Sequence, residues 1–270
     1  YATVNKEKLN RQDHQNNYVN LSRKELLQWH REIQQILRAL PVQQFHSVLK
    51  SFDEQLVHQL FVPLSALLLE NQIPLVKLAK DLMKEEPHLR IIDADGLFLS
   101  LEAAETLRSS LVHILRNVMD HGIETAAERV AAGKSPKGTV QIQATHGTDG
   151  LQLIISDDGR GLAVRKIQEI AIIQGLVDGH KQLSVLEIAS LIFEPGFSTA
   201  SRLTEFSGRG VGLDAVKQYL SRLQGSIGLT LLREKPSVLD FVPFHMNIRL
   251  PADACFFMEP SQGVSHEHAG

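Results

Sequence analysis

The stretch HILRNVMDHGIE, from His113 to Glu124, sets two histidines, an arginine, an asparagine, an aspartate and a glutamate among five apolar residues. At about 100° per residue, His113, Arg116, Asn117, Asp120 and Glu124 share one helical face, with His121 at its edge. Leu111, Val112, Ile114, Leu115, Val118 and Met119 share the other. The spacing predicts an amphipathic helix with its apolar back on a core, ended by Gly122. A solvated face is usually built from Lys and Glu, which form helix well and carry no geometric demand. A carboxamide, two imidazoles and a guanidinium are instead groups that bind metals, phosphates and protons. This face is therefore a candidate site, and the rest of the chain is read for its partners.

Working outward, 270 residues allow one or two domains. Hydrophobic residues at 43% and charged residues at 22% fit a soluble globular protein. A net charge of -3 argues against bulk electrostatic binding to nucleic acid. The apolar run near Leu60–Leu69 is broken by Pro63 and Ser65 and is too short to insert in a bilayer. The single Cys255 excludes an internal disulfide, and no Cys/His zinc spacing occurs. With no signal peptide in view, a reducing cytoplasmic setting is expected. The chain starts at Tyr1, so it reads as a piece of a larger protein, compatible with the cytosolic part of a membrane-attached sensor.

Residues 1–20 are polar and unpatterned. NLSRKELLQWHREIQQILRAL then reads as a helix, capped by Asn20 or Ser22, with Leu26, Trp29, Ile33, Ile36 and Leu40 at helical spacing and Pro41 at its end. VQQFHSVLKSFDEQLVHQLF is a second amphipathic helix. The two make a helical hairpin over residues 1–60, a form that pairs with a second copy, although packing on the chain's own body would leave the same pattern. From Val62, VPLSALLLENQIPLVKLAKDLMKEE is helical with a break at Pro74. HLRIID and LFLSL read as strands flanking the turn ADG, and TVQIQATHGTDGLQLIISDDG as a β-hairpin around GTDG. GSIGLTLLRE and FHMNIRL are further strands, and VRKIQEIAIIQG, SVLEIASLIF and VGLDAVKQYLSRLQ are helices. The fold class expected is α+β, a two-layer α/β sandwich with a mixed sheet over residues 61–252. Residues 253–270 read as a flexible tail or linker.

Two glycine clusters stand out. ISDDGRGL (Ile155–Leu162) follows an apolar strand and can present a carboxylate at the sheet edge, though Asp and Gly also make plain turns. SGRGVGLDAVK (Ser207–Lys217) puts three glycines at alternate positions before a helix, which suits an anion such as phosphate. Neither is specific alone. Their order and spacing behind the Asn117 helix are.

Together, LVHILRNVMDHGIE, DDGRGL, FEPGFSTA and SGRGVGLDAVK resemble the ATP-binding fold shared by gyrase, MutL and the histidine kinases, and within it the chemotaxis-type, CheA-like kinases; ERVAAGK fits as well. The resemblance runs from about residue 61 to 251. It implies ATP and Mg²⁺ as cofactors, with Asn117 ligating the metal. An amide oxygen is a hard ligand suited to it. Gyrase and MutL have a water-activating Glu four residues before that Asn. Here His113 stands there, as in the chemotaxis kinases, which favours transfer to a protein histidine over hydrolysis. Arg116, Asp120 and His121 match the motif at the phosphate end. Asp157 would accept a hydrogen bond from the adenine amino group, and Gly159 and Gly161 would make room for the base. Gly208, Gly210 and Gly212, with Arg209 and Val211 between them, would cradle the phosphates. The segment from Leu162 to Phe206 would be a lid, with Ser198 in its motif and Phe193 and Phe197 as anchors; core packing explains Phe193 equally well.

The chain departs from that family in lacking the H-x-x-K-G of its phosphoacceptor domain. His30 and His46 are the only tempting acceptors, so the acceptor histidine is expected on another domain or protein, with a response regulator downstream. Two classes of function remain: an active ATP-dependent histidine kinase core, expected to be a homodimer, or a nucleotide-binding dimerisation and interaction module without catalysis. A gyrase-type ATPase is disfavoured by His113.

Overall fold

Arg23–Ala39 forms the first expected helix, α1. It belongs to a unit of its own, Tyr1–Gln59. Trp29, placed on the apolar stripe by its spacing, is 51% exposed. His30, weighed as a phosphoacceptor, is only 5% exposed, and an imidazole so covered is not presented to a nucleotide. The computed structural model describes residues 23–39, 57, 60–179, 182–197, 212–232 and 241–258. The second hairpin helix, apart from Val57 and Leu60, and His46 lie outside them.

The second unit begins at Leu60. Strand β1 (Phe61–Pro63) leads into helices α2 (Leu64–Leu69) and α3 (Gln72–Asp81). The helix break expected at Pro74 falls instead at Glu70–Asn71. Pro74 sits in the first turn of α3, where a missing N–H costs nothing. Asn71 closes the break by donating from its carboxamide to the Leu67 carbonyl at 3.0 Å.

Strands β2 (His88–Ile92) and β3 (Leu97–Ser100) form as expected but join different sheets. Ser100 then caps the long helix α4 (Leu101–Asn117), its hydroxyl accepting from the Ala103 N–H at 3.1 Å. Ser100→Ala should cost about 1 kcal/mol, read as a lower urea midpoint with an unchanged slope. No change would mean the cap contributes nothing to α4.

After α4 come a π-helical turn (Val118–Gly122), α5 (Ala126–Ala131), and the hairpin β4 (Thr139–Gly147) and β5 (Gly150–Asp157). The chain continues through β6 (Leu162–Ala163), α6 (Val164–Ile173), α7 (Val185–Ser190) and a 3₁₀ turn at Leu191–Phe193. It ends with α8 (Leu213–Arg222), β7 (Ser226–Leu231), β8 (Phe241–Val242), β9 (Phe244–Leu250) and β10 (Cys255–Phe257).

The main sheet has the order β2-β4-β5-β9-β7. Its β2–β4 pair is parallel and the others are antiparallel, so it is mixed. Period-two alternation turns Val140, Ile142 and Ala144 of β4, Leu151, Leu153 and Ile155 of β5, and Met246, Ile248 and Leu250 of β9 into one core. Leu107, Leu111, Ile114 and Leu115 of α4 and Val216 and Leu220 of α8 meet them. This is the two-layer sandwich expected.

A second sheet, β1-β3-β10, corrects the boundary read from the tail. Cys255–Phe257 pairs antiparallel with β3, and Cys255 is buried in the main core. Ordered structure therefore runs past residue 252, because Cys-Phe-Phe is apolar enough to add a strand. Among the described residues no helix is long and apolar enough to cross a membrane.

Candidate functional site

Asn117 is the last residue of α4. Among the described residues its half-buried carboxamide has no hydrogen-bond partner, so it is free to meet a ligand. The apolar back of the helix is as expected except at Val112, which is 50% exposed. The π turn begins directly after Asn117, its Ile123 N–H reaching the Val118 carbonyl at 2.8 Å. Such turns recur at functional sites because they swing the following residues off the helical repeat. Here those residues are Asp120 and His121.

Lys84 clasps the turn. Its ammonium donates to the carbonyls of Met119, Asp120 (3.2 Å) and Ile123 (2.7 Å). A cation there offsets the helix dipole. Burial, and then the charge of Arg160, hold the Lys84 pKa below its ordinary value against Asp120, Glu128 and Glu124.

His113 lies one turn before Asn117. Burial, helped by the nearby Arg116, keeps its pKa below the usual imidazole value, so at neutral pH it is an uncharged proton acceptor. Arg116 is exposed and pairs with Asp120 at 3.6 Å. His121 reaches the surface, yet burial leads a downward shift of its pKa too. Asp120 opposes that shift, and Lys84, Lys166 and Arg160 add to it. Lys84, Arg116, Arg160 and Lys166 thus bring positive charge to the end of α4, a field suited to phosphate.

Asp157 closes β5, at the edge that the DDGRGL motif implies. Its Oδ1 accepts from the Gly159 N–H at 2.9 Å. A Cβ on Gly159 would lie 2.3 Å from the Gly122 carbonyl oxygen, and one on Gly161 (φ +85°) 2.6 Å from that of Val242. These glycines therefore admit neighbouring backbone, where the resemblance assigned them room for a base. The Arg160 N–H donates to the Gly122 carbonyl at 3.0 Å, which ties the two motifs together. Burial pushes the Asp157 carboxyl up to about 6. The charges of Asp158 and Glu124 add to this, and the Gly159 hydrogen bond and Lys134 oppose it.

Glu124, expected on the face with His113, lies beyond the π turn and is buried. Burial alone would raise its pKa; the Lys134 hydrogen bond and the charges of Lys134 and Arg129 outweigh that and hold it below the carboxylate range.

Phe193 is 4% exposed in the main core, so it anchors by packing and offers no face to a nucleotide. Phe197 is half-buried against a smaller cluster with Val164, Ile167 and Ile188. Gly212 immediately precedes α8. Ser198, Gly208, Arg209, Gly210 and Val211 lie outside the described residues.

The sequence reading gave no role to Lys84, Arg129, Lys134, Arg160 or Lys166. Arg129 and Lys134 lie inside the matched ERVAAGK and Arg160 inside DDGRGL, so those motifs carried the signal. Lys166 lies in the first turn of the helix after DDGRGL. Lys84 has no local signal; the left-handed Met83 (φ 52°) that ends α3 aims it at the turn.

The donor set fits a magnesium nucleotide. The carboxamide of Asn117 lies at the end of α4, and the largely covered carboxylate of Asp157 lies against Gly122 at the close of the π turn. No cluster of three or more His, Cys, Asp or Glu suited to a metal occurs among the described residues. Mg²⁺ takes one or two protein oxygens and completes its shell with phosphates and water, and the Asn117 carboxamide offers one such oxygen.

Residues 106–250 match the family described as histidine kinase-, DNA gyrase B-, and HSP90-like ATPase. The chemotaxis protein CheA of Rhizobium meliloti (strain 1021) is 39% identical over 140 residues, 52% of this chain and 18% of that protein. CheA of Bacillus subtilis (strain 168) is 39% identical over 165 residues, 59% of this chain and 24% of that protein. The chain thus spans less than a quarter of either relative. Among solved structures, the mycobacterial sensor histidine kinase MprB is similar over 71% of this chain and 97% of that chain, at 16% identity and a TM-score of 0.42.

Proposed function

The chain belongs to the histidine kinase-, DNA gyrase B-, and HSP90-like ATPase family, and from that premise we propose that it is the ATP-binding core of a CheA-like protein histidine kinase, passing the γ-phosphate of ATP to a histidine on a separate domain or protein. The observation that carries the reading is the joining of two motifs through Arg160 and Gly122. It sets a covered carboxylate, Asp157, beside a helix that ends in a free carboxamide, Asn117.

In this reading Asp157 accepts the adenine amino hydrogens. Asn117 gives its amide oxygen to Mg²⁺, which supplies charge neutralisation along the phosphates. Lys84, Arg160, Lys166 and His121 supply positive field and donors at the phosphate end, and Arg116 and Asp120 shape its rim. Gly208, Gly210 and Gly212, with Arg209 and Val211 between them, cradle the phosphates ahead of α8, and Ser198 belongs to the lid. His113 is the general base for the attacking imidazole. Its depressed pKa leaves it neutral, and neutral imidazole can take a proton as the new N–P bond forms. A response regulator takes the phosphoryl group onward, and the segment 1–60 makes a homodimer.

The test is calorimetric titration of the whole chain with a non-hydrolysable ATP analogue, with and without Mg²⁺, followed by radiolabelled transfer to candidate histidine domains. Magnesium-dependent binding with transfer is expected; no binding would refute the reading. Binding without transfer to any candidate would favour the alternative, a nucleotide-responsive interaction module. The presence of His113, Asn117 and Asp157 together favours the kinase. His113→Gln should slow transfer by about 10²-fold and leave nucleotide affinity within about threefold. A large loss of affinity would make His113 a binding residue instead.

A further inference from the structure

The guanidinium of Arg129 takes no part in the chemistry just described, yet it is completely buried, and three of its five hydrogen bonds reach residues that flank the site. Its Nη1 donates to Glu124 Oε2 (3.1 Å) and to the Asp158 carbonyl (3.3 Å). Its Nη2 donates to Asp158 Oδ2 (2.9 Å) and the Lys137 carbonyl (3.3 Å), and its Nε to the Ser135 carbonyl (2.7 Å). Glu124 stands two residues past the π turn that ends the Asn117 helix, and Asp158 directly follows Asp157. Lys134 doubles the tie, donating to Glu124 Oε1 (2.8 Å) and to the carbonyls of Asp158 and Gly159 (both 2.9 Å). The other oxygen of Asp158 accepts from the Thr139 N–H at 2.9 Å and pins the loop to β4.

We infer that Arg129 is a positioning residue: it holds the backbone on the far side of Asp157 against the end of the site helix, and so sets the selectivity for adenine. The inference rests on Asp157 being the adenine acceptor. The described protein contact of the Asp157 carboxylate is a single hydrogen bond, from Gly159. Its aim is therefore set by where its neighbours are held, and hydrogen-bond strength falls steeply with distance and angle. Only a planar fork with five donors can serve acceptors in these directions at once; an ammonium has three donors on a point charge.

The test compares ADP with IDP, which carries an oxo group in place of the 6-amino group, by calorimetry with Mg²⁺ on the whole chain. The wild-type protein should prefer ADP by on the order of 10²-fold. In Arg129→Lys that preference should fall to within about threefold while IDP affinity stays within about threefold. If this variant does not fold, Asp158→Ala serves: its side chain is 44% exposed and it removes the carboxylate that Arg129 holds. A merely structural role would shrink the folded fraction and weaken both nucleotides alike, so an unchanged ratio in the folded variant overturns the inference. A wild-type protein without preference would remove the adenine role of Asp157, and the inference with it. A wild-type preference that survives both variants would sink the inference alone.

Discussion

Asn117→Ala is expected to reduce magnesium-dependent phosphoryl transfer by on the order of 10²–10³-fold, the usual loss when one oriented polar group at a reacting phosphate or oxyanion is removed. The fold should tolerate the change. Asn117 ends α4 with no hydrogen-bond partner among the described residues, and Ala is the better helix former. Circular dichroism and the thermal midpoint should therefore match wild type, and magnesium should no longer strengthen nucleotide binding. Transfer at the wild-type rate would remove Asn117 from the metal position.

Asp157→Asn should weaken ATP binding by about 10²-fold and at the same time stabilise the free domain. The carboxyl is pushed up to about 6 in the folded protein, above the roughly 3.9 of an unfolded Asp. The folded state thus binds this proton more tightly. Stability from this group is highest below pH 4, declines between pH 4 and 6, and at neutral pH burial of the charge costs about 1–3 kcal/mol. Asn removes that cost and keeps an oxygen for the Gly159 N–H, so the thermal midpoint should rise by several degrees. ATP binding to the wild type should weaken about tenfold per pH unit below 6, as the acceptor protonates, and the variant should show no such dependence. Equal affinity in the two proteins, or a lower midpoint in Asp157→Asn, would refute the assignment.

Much of the fold was legible because its signals are local. The β4–β5 hairpin follows from alternation around GTDG, and α4 from the spacing of Leu107, Leu111, Ile114 and Leu115. What was not legible depends on partners far along the chain. HLRIID and LFLSL read equally well as one hairpin; only the approach of β4 to one and of β1 and β10 to the other assigns them to two sheets. Glu124 sits at helical spacing from Asp120, but the π turn takes it off that face into a buried pair with Arg129. For the proposed site, motifs pointed to Asn117 and Asp157. None pointed to Lys84, because its carbonyl partners lie some 35 residues away and no residue type announces them. The glycines of DDGRGL stand against the backbone of Gly122 and Val242, a need for space that a letter G does not announce.

The small sheet has a mechanical consequence. β1, where the chain comes into the domain, and β10, where the described chain leaves it, lie on either side of β3. Phe61 is in register with Ser100, and Cys255 with Leu99. At about 4.8 Å per strand, the incoming and outgoing segments run about 10 Å apart. β3 passes without a loop into α4, whose far end is Asn117. A pull on either flanking strand therefore acts on the root of that helix, and the rigid rod of α4 delivers the displacement about 25 Å away, at the carboxamide.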